Sequence, residues 1–252
     1  MRRRGVLAIL AGAALALPGC GVAGERLPDY RYRLTVEVET PEGLRSGSSV
    51  IEVSTAVAGR NSIPTPGAVN RRVKKGEAVT VDLGARGLLF ALLRSDDNSD
   101  WASGVMFGFA PEVRQIHDAD GKYDSSATFR ARFMAMLKQR QPFELRGRLP
   151  GSRYIEGGLA RPMLVGFADI ADPTTVERVD PDALAAAYGQ GVKLKRITIQ
   201  LTDDPLTTGI EKRLGWLGKY PEPRLDSSYR GSTNPILSQQ LAHGDFSRSA
   251  IQ

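Results

Sequence analysis

The chain has 252 residues, 41% of them apolar and 25% charged, with a formal charge of +6. These are the proportions of a globular protein, and they exclude an intrinsically disordered one. A single cysteine excludes a disulfide framework or a cysteine-built metal centre, and the two histidines, His117 and His243, are too far apart in sequence to form a metal-spaced pair.

Arg2, Arg3 and Arg4 open the chain, and a weakly polar to apolar run follows from Gly5 to Leu17. This is the charged region and apolar region of a signal peptide over 1–19. The run is shorter than the roughly 20 residues that span a bilayer. Leu17, Pro18, Gly19 and Cys20 come next, and this segment resembles the lipobox of bacterial lipoproteins. The resemblance implies a diacylglycerol on the Cys20 thiol, cleavage before Cys20 by signal peptidase II, and acylation of the new amino group, with palmitate a typical chain. Each buried methylene contributes about 0.8 kcal/mol, so two or three chains hold a protein on the membrane firmly where one holds it reversibly. Gly21 stands where an Asp favours inner-membrane retention, so the reading leans to an outer-membrane anchor facing the periplasm. Without the three leading arginines, 31 Lys and Arg face 28 Asp and Glu, a mature charge of about +3. That is too mild to point to a nucleic-acid partner.

Residues 20–29 read as a short tether, and 30–215 as a β-rich domain. In YRYRLTVEVET, Tyr30, Tyr32, Leu34, Val36 and Val38 alternate with polar residues, which predicts a half-buried strand. Pro41, Glu42 and Gly43 signal a turn, and SSVIEVSTAV completes a hairpin with Ile51, Val53, Thr55 and Val57 on one face. Residues 59–75, rich in Gly, Pro and basic side chains, read as a long loop ending in the basic run RRVKK, which suits anionic lipid headgroups. AVTVDLG and GLLFALLR predict two strands, the second apolar on both faces and therefore covered on both. WASGVMFGF reads as a further strand, with Trp101, Val105, Phe107 and Phe109 on one side.

A helix is predicted from Ser125 to Gln139, capped by Asp124 or Ser125, with Phe129, Phe133, Met136 and Leu137 on its apolar face. FELRGRL and PMLVGFAD read as strands. Asp180, Pro181 and Asp182 open a short helix that Gly189 ends. VKLKRITIQLT is a late strand whose alternation slips near Lys195 and Arg196, which predicts a bulge. From Trp216 to Gln252 the pattern fades into an extended tail, packed on or beside the domain. Ile210, Leu214 and Leu217 share helical spacing just before it, as a cap on the sandwich or a docking face. The expectation is a mainly β (α+β) fold: an antiparallel β-sandwich or open barrel with two or three inserted helices. YRYRLTVEVETPEG, FADIADPTTVERVDP and ITIQLTDDPLTTGIEKRLGWL together resemble an uncharacterised family of bacterial exported proteins, which implies no particular activity.

No nucleophile elbow, S-x-x-K, Walker A loop or metal-spaced cluster is present, and no cofactor is expected. HDADGKYD does not fit an EF-hand, because Gly121 at position 6 puts Ile116 at position 1 and Ala127 at position 12. An irregular calcium site joining it to Asp96, Asp97 or Asp100 stays open as an expectation. Three functional readings follow. The leading one is a lipid-anchored, non-enzymatic module that binds or assembles with another envelope protein. The second is a carrier of a small ligand or glycan in a cavity lined by Trp101, Phe107 and Phe109. The third is an envelope hydrolase built on His117, Asp118 and Asp120.

Overall fold

The computed structural model describes residues 24–59, 67–149, 158–218, 220–228, 233 and 235–248. The signal segment, Cys20 and the start of the tether lie outside them. Strand β1 is Glu25–Thr40 and β2 is Gly43–Val57. They form the expected antiparallel hairpin, closed by Pro41 and Glu42, with Thr40 opposite Gly43. Gly43 takes φ +120°, a conformation side chains resist, so glycine is needed there. Tyr30, Tyr32, Leu34, Val36 and Val38 are all buried, as the alternation predicts. β1 starts at Glu25, within the stretch read as tether. Between Leu27 and Tyr30 it carries one residue more than its partner, at Pro28 and Asp29. Pro28 has no N–H to give the ladder, which is the physical reason for a bulge there.

β3 is Val69–Glu77, β4 is Val79–Asp82 and β5 is Leu88–Ala91. The expected 59–75 loop is corrected over 69–75, while 60–66 lie outside the described residues: RRVKK lies in a strand paired with β2, Arg71 opposite Thr55 and Val73 opposite Val53. Its charges are divided among different surroundings. Arg71 lines an open cavity, and Lys74, the extra residue of a second bulge, pairs with Asp29 and Glu52.

The segment 101–109 is the second correction. It is not a strand but helix α1, Trp101–Gly104, running into a 3-10 turn at Val105–Phe109. Trp101, Val105 and Phe109 stand at i, i+4 and i+8 as well as at even spacing, so both periods fit. Helix α2, Ser125–Met136, is capped by the Asp124 carboxylate, which accepts from the Ala127 N–H. It buries Phe129, Phe133 and Met136.

Of the two strands expected at 143–149 and 162–169, short pieces form: β6, Phe143–Glu144, and β7, Leu164–Phe167. β8, Val176–Val179, was not anticipated. Helix α3, Leu184–Tyr188, ends at Gly189 with φ +91°, but starts after Pro181, because Asp180 closes a turn on the Asp182 N–H first. In β9, Lys193–Leu201, Glu37 faces Arg196 while Val38 faces Leu194, so Lys195 is the extra residue of the predicted bulge. Helices α4, Leu237–Gln240, and α5, His243–Phe246, precede β10, Ser247–Arg248.

The strands form two antiparallel sheets, ordered β10-β3-β2-β1-β9-β6 and β4-β5-β7-β8. The fold is mainly β and a sandwich, not a closed barrel. The principal core lies between the sheets and under α1 and α2. A second core covers the outer face of the four-stranded sheet. Phe90, Leu92, Met163, Val165 and Val176 meet Ile210, Leu214, Leu225, Leu241 and Phe246 there. Leu89 and Ala91 belong to one core and Phe90 and Leu92 to the other, which is why GLLFALLR is apolar throughout. The segment read as a tail is thus a third layer. Ile210 and Leu214 act as a cap.

Glu77 ties that layer down. Its carboxylate is buried and accepts the N–H groups of Gly209 and Ile210 at 2.8 and 3.1 Å. His243 belongs to the same layer. Its Nδ1 accepts the Gly218 N–H at 3.1 Å, its ring lies against Trp216, and burial holds its pKa below the ordinary value. The neutral ring is therefore the native form. Its stabilising effect is complete above the unfolded pKa of about 6.5 and is lost as pH falls through the lower folded value. The urea midpoint should drop as pH falls below about 6.5 in the wild type. It should drop less in His243→Asn, whose amide oxygen can still accept from Gly218. Equal pH slopes for the two proteins would refute this role for His243.

Candidate functional site: a polar cavity at Arg71

The start of β3, helix α1, the turn before it and residues 149, 158 and 159 line an open cavity of about 430 Å³. Val69 and Arg71 supply one wall, and Asp97, Asn98 and Asp100 the rim. Trp101, Ser103, Gly104 and Val105 form the floor, and Leu149, Gly158 and Leu159 the far side.

Local hydrogen bonds set these walls. The Ser95 N–H donates to the Asn98 carbonyl, closing a turn. Asp97 accepts the Ser95 hydroxyl at 2.7 Å and the Leu159 N–H at 2.9 Å, which ties the turn to the far side. Residues 147–149 pair with 158–160: Leu149 N–H donates to the Gly158 carbonyl and Ala160 N–H to the Gly147 carbonyl. The Trp101 indole N–H donates to the Ala160 carbonyl at 3.2 Å. From below, the Tyr32 hydroxyl donates to the Ala102 carbonyl at 2.8 Å and the Tyr30 hydroxyl to the Ser103 carbonyl at 3.5 Å. A helix of one turn has no cooperative stability of its own, so these contacts hold α1 in place. Burial pushes both tyrosine pKa values up, so both hydroxyls keep their protons and donate.

Arg71 is the distinctive group. Its guanidinium lies 5.3 Å from the centre of the Phe107 ring. Arg132 lies over the same ring at 5.1 Å, but Arg132 is satisfied: it donates to the Ala110 and Pro111 carbonyls and pairs with Glu112 at 3.1 Å. Arg71 has no hydrogen bond or ion pair of that kind among the described residues. Burial lowers its pKa, with the Tyr30 phenol acting the other way, yet a guanidinium stays protonated in any protein. A half-buried cation without an anion is expensive unless something charged or polar comes to it.

A second groove, of about 590 Å³, shows the contrast. It is lined by Asp29, Arg31, Glu52 and Lys74, and all four are spent on each other. Glu52 takes Lys74 at 2.6 Å and Arg31 at 3.0 Å, and Lys74 takes Asp29 at 2.9 Å. The Lys74 hydrogen bond is the main reason the Glu52 pKa is lowered. This network holds the β1 bulge against β3.

The sequence-predicted site residues do not assemble. Trp101 lines the Arg71 cavity, and Phe107 carries Arg71 on its ring. Tyr30, Tyr32, Trp101 and Phe107 are otherwise core. Phe109 is half-buried and stacks on Phe143 at 4.8 Å. His117, Asp118 and Asp120 sit in an exposed turn and do not line the cavity. His117 pairs through its backbone with Tyr123, and the Asp118 carboxylate accepts the Asp120 and Lys122 N–H groups. Asp96 pairs with Arg178 at 3.2 Å. Among the described residues no group of three or more His, Cys, Asp or Glu could hold a metal ion. The sequence does not single out Arg71, because RRVKK carries no apolar/polar alternation and the bulge at Lys74 breaks its phase.

Fold and site together define a two-sheet antiparallel sandwich with a polar cavity, lined by a partly buried Arg71 that makes no ion pair among the described residues. No family profile, curated protein or solved structure matches this chain.

Proposed function

We propose that this chain is a lipid-anchored cell-envelope protein that acts by binding, with the Arg71 cavity as its ligand site. The observation that carries the binding reading is the Arg71 guanidinium, set in a cavity of about 430 Å³ without an anionic partner among the described residues. The volume falls within the roughly 300–1,000 Å³ of small-molecule sites. Native mass spectrometry of protein purified from gently solubilised membranes tests it. A small molecule should travel with the wild type and be lost in Arg71→Gln; retention by the variant would count against the site.

The anchor rests on LPGC at 17–20. Glu25, where β1 begins, lies five residue steps along the chain from Cys20. Fully extended they reach at most about 17 Å. A lipidated Cys20 would therefore keep the β1 start, with the paired ends of β2 and β3, next to the bilayer. Cys20→Ser should abolish labelled palmitate incorporation and release the protein from membranes. Continued labelling would end the anchor reading.

A second reading, docking of another envelope protein, is favoured by the opposite end of the sandwich. Leu44 beside the hairpin turn is 52% exposed, in a shallow groove with Pro41, Lys193 and Lys195. That end would point away from the membrane. A stoichiometric partner in a membrane pull-down, lost in Leu44→Asp, would support it.

A further inference from the structure

Resting on the binding reading above, we propose that the cavity takes a small zwitterion of the amino-acid or short-peptide class, its carboxylate against Arg71 and its ammonium against Asp100.

Among the described residues, three ionisable ones line the cavity: Arg71, Asp97 and Asp100. Asp97 is committed, one oxygen to the Ser95 hydroxyl and the other to the Leu159 N–H. Asp100 is not. It precedes α1, yet its carboxylate makes no capping bond; only its backbone is used, the N–H donating to Asn98 and the carbonyl accepting the Ser103 hydroxyl. Arg71 and Asp100 do not form an ion pair with each other, although both line one cavity.

This arrangement discriminates. A simple anion gains Arg71 but meets the field of Asp100, while the Asp97 charge is partly offset by Arg148. A simple cation gains Asp100 but meets Arg71. A molecule with both charges satisfies both and leaves neither wall unpaired. Guanidinium and carboxylate also match as a two-pronged hydrogen-bonding pair. Between the charged walls, Val69, Leu149 and Leu159 present apolar surface suited to short aliphatic side chains. The volume excludes a long polymer from lying inside. The Trp101 indole N–H and the Ser103 hydroxyl are already used, so selection falls to the two charges.

The experiment titrates the full mature protein with the dipeptide Ala-Ala, its N-acetyl form and its C-terminal amide, by calorimetry and by tryptophan fluorescence. The free dipeptide should bind, and each blocked form should bind at least about tenfold more weakly. In Arg71→Gln the penalty for the amide should vanish while that for the N-acetyl form persists. Asp100→Asn should show the reverse. Melting curves confirm that both variants fold; should Arg71→Gln fail to fold, the three wild-type titrations and Asp100→Asn decide alone. Equal binding of the free and blocked peptides would overturn the zwitterion and leave the binding reading standing. Binding of none of the three would overturn it too. The binding reading falls with it only if no small molecule accompanies the protein from membranes.

Discussion

Phe246→Ala should destabilise the protein by about 3–5 kcal/mol, the cost of removing a fully buried aromatic side chain. Two residues from the end of the described chain, a residue of this kind would ordinarily be expected to matter little. Here Phe246 is fully buried, with Phe90 at 6.3 Å, Phe167 at 5.9 Å and Trp216 at 5.5 Å. Its backbone is committed as well: its carbonyl accepts the Ala78 N–H at 2.7 Å, and the Asp245 carbonyl beside it accepts the Leu93 N–H at 2.9 Å. The ring therefore closes the second core while the backbone joins both sheets. For a domain of this size each kcal/mol lowers Tm by about 2–4 °C, so a fall of about 10 °C is expected. Ile236→Ala, at a position 61% exposed, is the control and should change stability by less than about 0.5 kcal/mol. A Phe246→Ala midpoint within 1 kcal/mol of wild type, by urea titration, would show that the C-terminal layer is peripheral.

Gly47→Ala should cost about 3 kcal/mol, towards the upper end of overpacking effects. Gly47 lies on β2 where the two sheets cross. A Cβ built there would sit 2.1 Å from the Thr80 carbonyl oxygen and 3.1 Å from the Val79 side chain. The obstacle is backbone, which cannot rotate away as a side chain can. The sheets must separate at that point, and packing on both sides of the crossing loosens. Gly215→Ala, where a Cβ meets nothing within 4 Å, provides the comparison and should be nearly silent. A Gly47→Ala protein as stable as Gly215→Ala would mean that the sheets are not held at this spacing in solution.

The features readable from sequence are those that a local stretch of chain settles alone. The hairpin of β1 and β2 follows from strict alternation over more than ten residues and from turn chemistry at Pro41 to Gly43. The α2 cap at Asp124, the helix stop at Gly189 and the bulge at Lys195 follow from short-range rules of the same kind. The cover over GLLFALLR was implied by apolar residues on both faces, but not what provides it. Phe90 and Leu92 needed Phe246, more than 150 residues on in the chain. The scattered apolar residues from 210 to 246 carry no periodicity because each is placed by the sheet beneath it.

Residues 101–109 had two periods to choose from, and Tyr30, Tyr32 and Ala160 decided for the helix by meeting its carbonyls and the Trp101 indole. The candidate site was illegible for a related reason. RRVKK contains four cations that composition treats alike. Pairing with β2 sends Arg71 inward over Phe107 and Lys74 outward to Asp29 and Glu52, so one charge is left uncompensated and another is neutralised. A sequence records which charges exist. Which of them find partners depends on strands and turns far apart in the chain, and only their packing establishes it.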